Sequence, residues 1–283
     1  MDTKVTPTLL ALLLASCAPT PSPDAAAEAD ALNQQGLTHF QATRYPRAAK
    51  LFLDARDLDP TEGEYANNAG MAYLRMGQVG PAATHFQNAI ELNPERAMYH
   101  YNIGLAFLNG ADPELALAAF LKAIEIDKDY FDANSYAGLL FFQSGAFDDA
   151  VKHWENAAAI KDNADIETNL AMAYMAQGDE AAALEALGKA KSINPDYGLT
   201  YYNYGVLYQK RGDLNEAEAN YAKAAQLAPE KFETYLNLAI VQTKLEKKNA
   251  AIGNLETFLT RVPANMTQQI NDAQRRLREL RAK

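Results

Sequence analysis

Between residues 29 and 265 the small and apolar positions of this chain recur on a fixed period. When the stretch is divided into units 29–62, 63–96, 97–130, 131–163, 164–197, 198–231 and 232–265, the eighth position of each is small. It reads Gly36, Gly70, Gly104, Gly138, Ala171, Gly205 and Ala239, spaced by 34 residues with one interval of 33. The twentieth position is always alanine: Ala48, Ala82, Ala116, Ala150, Ala183, Ala217 and Ala251. A large apolar column follows at the twenty-fourth, with Phe52, Phe86, Phe120, Trp154, Leu187, Tyr221 and Leu255. A small one comes next, with Ala55, Ala89, Ala123, Ala157, Ala190 and Ala224 giving way to Phe258 in the last unit. Periods of this length mark repeat architectures, in which a unit buries its apolar face only against its neighbours.

The columns predict two helices per unit. Small residues at the eighth and twentieth positions let the two axes approach, and the large column fills the space left beside them. Met76-Gly77, Ser144-Gly145, Gln177-Gly178 and Arg211-Gly212 are turn signals at which glycine ends the first helix. Pro60, Pro94, Pro195, Pro229 and Pro263 stop the second, since proline cannot extend an i to i−4 ladder; Lys128 and Asp162 occupy that column in two units. Strict alternation is absent and valine is scarce, so no strands are expected. Residues 266–283 form a candidate capping helix with Ile270, Ala273, Leu277 and Leu280 along one side. Its other face carries Arg275, Arg276, Arg278, Arg281 and Lys283, which suits the negative end of a helix dipole better than it defines a site for an acidic partner.

These columns resemble the tetratricopeptide repeat. The resemblance implies an all-α fold: a superhelical solenoid of seven helix-turn-helix repeats plus the C-terminal capping helix. It also implies that the first helix of each unit lines a concave surface, exposing the second, fifth, ninth, twelfth and thirteenth positions. The ninth column is apolar throughout: Leu37, Met71, Leu105, Leu139, Met172, Val206 and Ile240. The twelfth adds Phe40, Leu74, Leu108, Phe142 and Met175 before turning polar at Gln209 and Thr243, and the fifth adds Tyr101 and Tyr202. The second column supplies an acidic edge of Asp30, Glu64, Asp132, Asp165 and Glu233. Such a stripe is either core packed between adjacent helices or a groove for an apolar helix or extended peptide; its continuity favours the groove, because large apolar patches on a protein surface usually mark binding sites. The sixth column is mainly Asn68, Asn102, Asn169, Asn203 and Asn237. These are read as structural first, bonding backbone between helices, and as peptide-holding donors second. Family members that clamp acidic C-termini use lysine and arginine here, and that clamp is missing.

The N-terminus departs from the repeat. Lys4 precedes the apolar run of residues 9–15, which is too short to cross a bilayer and has the length of an export-signal core. Leu14-Ala15-Ser16-Cys17 resembles the lipobox of bacterial lipoproteins, which implies removal of residues 1–16 and acylation of Cys17, the chain's one cysteine. Ala18 is not the acidic residue that marks inner-membrane retention in that family, so the resemblance implies the periplasmic face of the outer membrane. Residues 17–28 are then a lipidated cysteine and a spacer; prolines 19, 21 and 23 favour an extended polyproline-II segment.

Composition narrows the chemistry. A net charge of −10 over 283 residues disfavours nucleic acid, whose phosphates need a clustered basic surface. His39, His85, His100 and His153 fall in four places without a ligand-type partner, so no metal site is expected, and no phosphate loop or nucleophile elbow occurs. Asp127-Lys128-Asp129 lacks the glycine and distal glutamate of a calcium loop. The expectation is a protein without catalytic residues, cofactor or small-molecule substrate. An export signal followed by such repeats resembles the pilotin lipoproteins of type IV pilus assembly, which bring secretin subunits to the outer membrane. That resemblance implies a membrane-tethered scaffold whose partner is another envelope protein. The alternatives are an adaptor for cell-wall enzymes or outer-membrane β-barrel assembly and, remotely, an array regulating a separate enzyme.

Overall fold

The computed structural model describes residues 20–282. The export signal, the lipobox and Cys17 lie outside the described residues. Among those described, every regular element is an α-helix. The described residues divide into two compact units, with the division between Leu140 and Phe141.

The first unit opens with α1 (Pro23–Gln41) and α2 (Tyr45–Leu58), followed by α3 (Gly63–Arg75), α4 (Val79–Leu92), α5 (Ala97–Asn109), α6 (Pro113–Ile126) and most of α7 (Phe131–Gln143). The second holds α8 (Phe147–Ile160), α9 (Ala164–Gln177), α10 (Glu180–Ile193), α11 (Gly198–Arg211), α12 (Leu214–Leu227), α13 (Glu233–Lys244), α14 (Lys248–Arg261) and α15 (Thr267–Ala282). Within each unit consecutive helices pair as hairpins, and each hairpin packs on the next.

Helix α1 corrects one sequence boundary. Residues 23–28 belong to it rather than to an extended spacer. Pro23 sits in the first turn, where its missing N–H would have found no intrahelical partner, and the Ser22 hydroxyl accepts a bond from the Ala25 amide at 3.2 Å. The alanines and glutamate that follow are strong helix formers. Proline here starts a helix instead of forbidding one.

The small columns make the core. Every alanine of the twentieth position is fully buried, as are the aromatic and leucine side chains of the twenty-fourth, including Trp154. Each large side chain removed from water contributes about 1.5–3 kcal/mol, so the repeat's stability is spread evenly along the chain. The glycines are required sterically. A Cβ on Gly36 would come within 2.5 Å of the Phe52 ring, and one on Gly70 within 2.7 Å of Phe86. In the last repeat Phe258 takes the place of the usual alanine and clusters with Ala273, Leu277 and Leu280 of α15, which covers the final apolar face. The arginines opposite are largely engaged: Arg276 bonds Asp272 at 2.6 Å, Arg275 bonds Asp272 and Glu279, and Arg281 meets Glu256 at 2.5 Å.

The turn after each first helix has one geometry. Gly77, Gly145, Gly178 and Gly212 have φ between 73° and 86°, as their places in the sequence predict. The same position in the other three repeats is Thr43, Ala111 or Glu246, at φ 58–60°. Tertiary packing therefore imposes the left-handed conformation whether or not glycine is present. The second helix likewise ends two residues before the proline column even where Lys128 or Asp162 replaces proline.

Candidate functional site

Helical spacing places the ninth and twelfth positions on one face of each first helix, beside the fifth. All fourteen residues expected to line a groove are half-buried, in contrast to the sealed twentieth and twenty-fourth columns. They are neither closed core nor free surface.

In the first unit Leu37, Phe40 and Met71 come together in a recess of about 400 Å³. Asn67, Asn68 and Asn102 supply its polar atoms, and Met98, which is 36% exposed, is part of its lining. Leu37 and Phe40 rest on the Ala48–Phe52 cluster, while Met71 and Leu74 rest on Phe86 and Ile103. Each side chain thus has one flank on the core and another available. Leu105, Leu108 and Leu139 are half-buried but are not among the residues lining this recess. Tyr101 sits within an aromatic group of tilted rings, its centroid 5.2 Å from Tyr130, 5.7 Å from Phe120 and 6.1 Å from Tyr136. Burial, then the Asp132 carboxylate, pushes its phenol above the ordinary value, so it stays neutral.

In the second unit Tyr202 and Val206 border a recess of about 410 Å³ with Gln209, Asn237, Lys210 and Lys244. The Tyr202 ring also lies under the Lys231 ammonium, 4.5 Å away. Phe142 packs at a tilt against Phe147 and Trp154, with ring centroids 5.4 and 5.7 Å away. Met172, Met175 and Ile240 are half-buried outside this recess.

Two features of the site differ from the sequence reading. The sixth-column asparagines bond side chains of the preceding repeat more than backbone. Asn68 donates to Asn33 Oδ1 at 3.0 Å, Asn102 to Asn67 Oδ1 at 2.7 Å, and Asn237 to Tyr202 Oη at 3.1 Å, always to the fifth position. Asn203 alone of these bonds backbone, at Leu199 of its own helix. The acidic edge is also largely occupied from within. Tyr65 donates to Asp30 at 2.7 Å, Tyr197 donates to Asp165, and Asn33 donates to Glu64 at 3.3 Å. The rim of the second recess is instead basic, through Lys210 and Lys244. Both stand at the thirteenth position, and that column was the signal available in the sequence; Met98 was likewise visible as one of two apolar exceptions, with Leu199, in the acidic second column.

Among the described residues no cluster of histidine, cysteine, aspartate and glutamate has the form of a metal site, and no helix is long and apolar enough to cross a membrane. Paired helices with sealed small-residue seams and half-open inner faces define a helical-repeat protein built for contact with other proteins. The chain belongs to the tetratricopeptide-repeat family: models of that repeat match residues 67–131, 112–166, 141–204 and 198–231, together more than half its length. No curated protein matches it in sequence. Among solved structures it is similar to the C-terminal part of a TPR repeat-containing protein from Cytophaga hutchinsonii, with TM-score 0.65 and 17% identity over 84% of this chain and 98% of that one. It is similar to pilF of Pseudomonas aeruginosa, with TM-score 0.64 and 16% identity over 78% of this chain and 99% of that one. YrrB, described as a TPR protein with an unusual peptide-binding site, aligns with TM-score 0.52 and 22% identity over 68% of this chain and 99% of that one. At these identities the likeness is one of fold.

Proposed function

We propose that this protein is a non-catalytic, lipid-anchored scaffold of the bacterial envelope that holds another envelope protein through an apolar helix or extended peptide. Its place is in the assembly of a membrane machine, in the manner of the pilotin lipoproteins that deliver secretin subunits. The observation that carries the binding half of this reading is the recess of Leu37, Phe40 and Met71, where partly open apolar side chains stand beside the amides of Asn67, Asn68 and Asn102. Apolar contacts supply affinity, and amides are suited to the backbone groups that an extended peptide leaves unpaired. A peptide-binding site described for a protein of the same fold, YrrB, is consistent with this use. The anchoring half rests on the lipobox ending at Cys17.

The test is crosslinking in the native cell from the first recess, followed by identification of the captured protein. Capture of a secretin subunit is the expected result; capture of cell-wall hydrolases or of β-barrel assembly proteins would replace it with the adaptor reading. Met71→Glu with Met98→Glu should abolish capture while helicity is retained, and undiminished capture would overturn the proposed groove. Cys17→Ser should move the protein out of the membrane fraction, and continued sedimentation with membranes would overturn the anchor.

A further inference from the structure

A recess of about 580 Å³ in the second unit lies between α8, α9 and α10, away from the inner-face positions discussed above. Its volume is in the range of small-molecule sites. Four carboxylates line it, Glu155, Asp162, Glu167 and Glu185, against a single lysine, Lys189. Lys189 is already held by Glu185 at 3.0 Å, and Glu155 accepts the Tyr174 hydroxyl at 2.7 Å. Glu167 has no such partner. It is only 8% exposed, and its Oε2 is buried without a hydrogen bond.

That carboxyl is out of keeping with its position. The fourth residue of the other repeats is Leu32, Ala66, His100, Asn134, Tyr201 or Tyr235, never an acid. A buried carboxylate left unpaired costs several kcal/mol, and a structural role would be served better by the tyrosine used twice elsewhere in the column. Burial holds the Glu167 carboxyl above its ordinary value, and Lys189 only partly opposes this. Room beside it comes from small side chains, Ala158, Ala159, Ala182 and Ala186, which leave space for a slender alkyl chain. A buried acceptor, two further carboxylates outside any ion pair and a wall of small apolar side chains together match a cation that carries N–H donors on a hydrocarbon stem.

We propose that this recess binds an alkylammonium or alkylguanidinium group, with Glu167 as its hydrogen-bonding acceptor and Asp162 and Glu155 completing the negative lining. The same chemistry is carried by a free diamine or guanidine and by a lysine or arginine side chain of another protein.

Isothermal titration calorimetry of the full chain with agmatine tests the assignment, with sodium chloride of equal ionic strength and tetramethylammonium as controls. Saturable binding of agmatine is expected, together with none of tetramethylammonium, which has charge but no N–H to donate. Glu167→Gln and Asp162→Asn should each weaken agmatine at least tenfold, with the far-ultraviolet circular dichroism unchanged. Both substitutions keep side-chain shape, and the first removes an uncompensated buried charge, so neither should unfold the protein. A capped alanine-arginine-alanine peptide separates the two sources. Tighter binding of the peptide than of agmatine supports a protein side chain as the ligand; binding of agmatine alone supports a free cation. Heat from agmatine no greater than from sodium chloride, equal binding of tetramethylammonium, or affinity unmoved by both substitutions would overturn the proposal.

Discussion

Gly104 stands so close to Phe120 that a Cβ added to the glycine would lie 2.7 Å from the ring's Cε1. The Phe120 ring is fully buried and has no solvent to retreat into. The sequence keeps this relationship in every repeat. Where the eighth position is glycine the twenty-fourth is aromatic, and where it is alanine, at Ala171 and Ala239, its counterpart is Leu187 or Leu255. A planar ring lies against the backbone only if no methyl intervenes, so the two columns are one steric decision.

Gly104→Ala should therefore destabilise the protein by roughly 1–3 kcal/mol through overpacking, although alanine is the better helix former. Phe120→Leu introduced with it should restore much of that loss, reproducing the pair found at Ala171 and Leu187. Urea denaturation of the two single variants and the double variant measures the coupling, and additive losses would refute a shared steric cause.

Ala111 occupies the left-handed turn position at φ 59°, where four other repeats use glycine. A non-glycine residue there costs on the order of 1–2 kcal/mol, against which glycine's larger loss of chain entropy on folding weighs somewhat less. Ala111→Gly should raise the melting temperature, with a net gain of about 0.5–1 kcal/mol. The neighbouring Gly110, at φ −78°, should not respond in the same way.

His85 and His153 repeat one contact, each stacked on an aromatic residue twelve positions earlier: Tyr73 at 5.2 Å and Phe141 at 5.3 Å. Burial lowers both from the ordinary histidine value of 6.5, helped by Arg56 at the first and by Lys152 at the second. The unfolded chain then takes up protons that the folded chain refuses. Stability from these sites is present above 6.5 and declines as pH falls below it. His85→Phe, which keeps a ring against Tyr73, should make unfolding less acid-sensitive; an unchanged pH profile would show that the imidazole charges freely in the fold.

Glu167 has the opposite sign. Its folded-state value lies above the ordinary 4.5, so between the two the native protein retains a proton that the unfolded chain has lost, and stability falls as pH rises through that interval. Glu167→Gln should stabilise the ligand-free protein at neutral pH. At about pH 4 the advantage should vanish, because the carboxyl is then largely protonated in both states. Chemical denaturation at the two pH values checks both statements.

The repeat period, the helix pairs and the core columns were legible in the sequence because a repeat contacts mainly its neighbours. Position within a unit then almost determines burial, as the sealed alanines of the twentieth column show. The half-burial of the ninth and twelfth positions follows for the same reason, since each lies on one flank of a helix whose other flank is core. What the period could not supply was any property that depends on which particular side chains meet across repeats. Asn102 bonding Asn67, Tyr65 bonding Asp30 and Asn237 bonding Tyr202 each settle which polar groups are already spent. The acidic edge read from the second column is thus largely occupied, while the unpartnered carboxyl lies at Glu167, in the fourth column. A one-dimensional pattern fixes the direction in which a side chain leaves its helix. Only the packed helices decide whether a hydrogen-bond donor waits where it arrives.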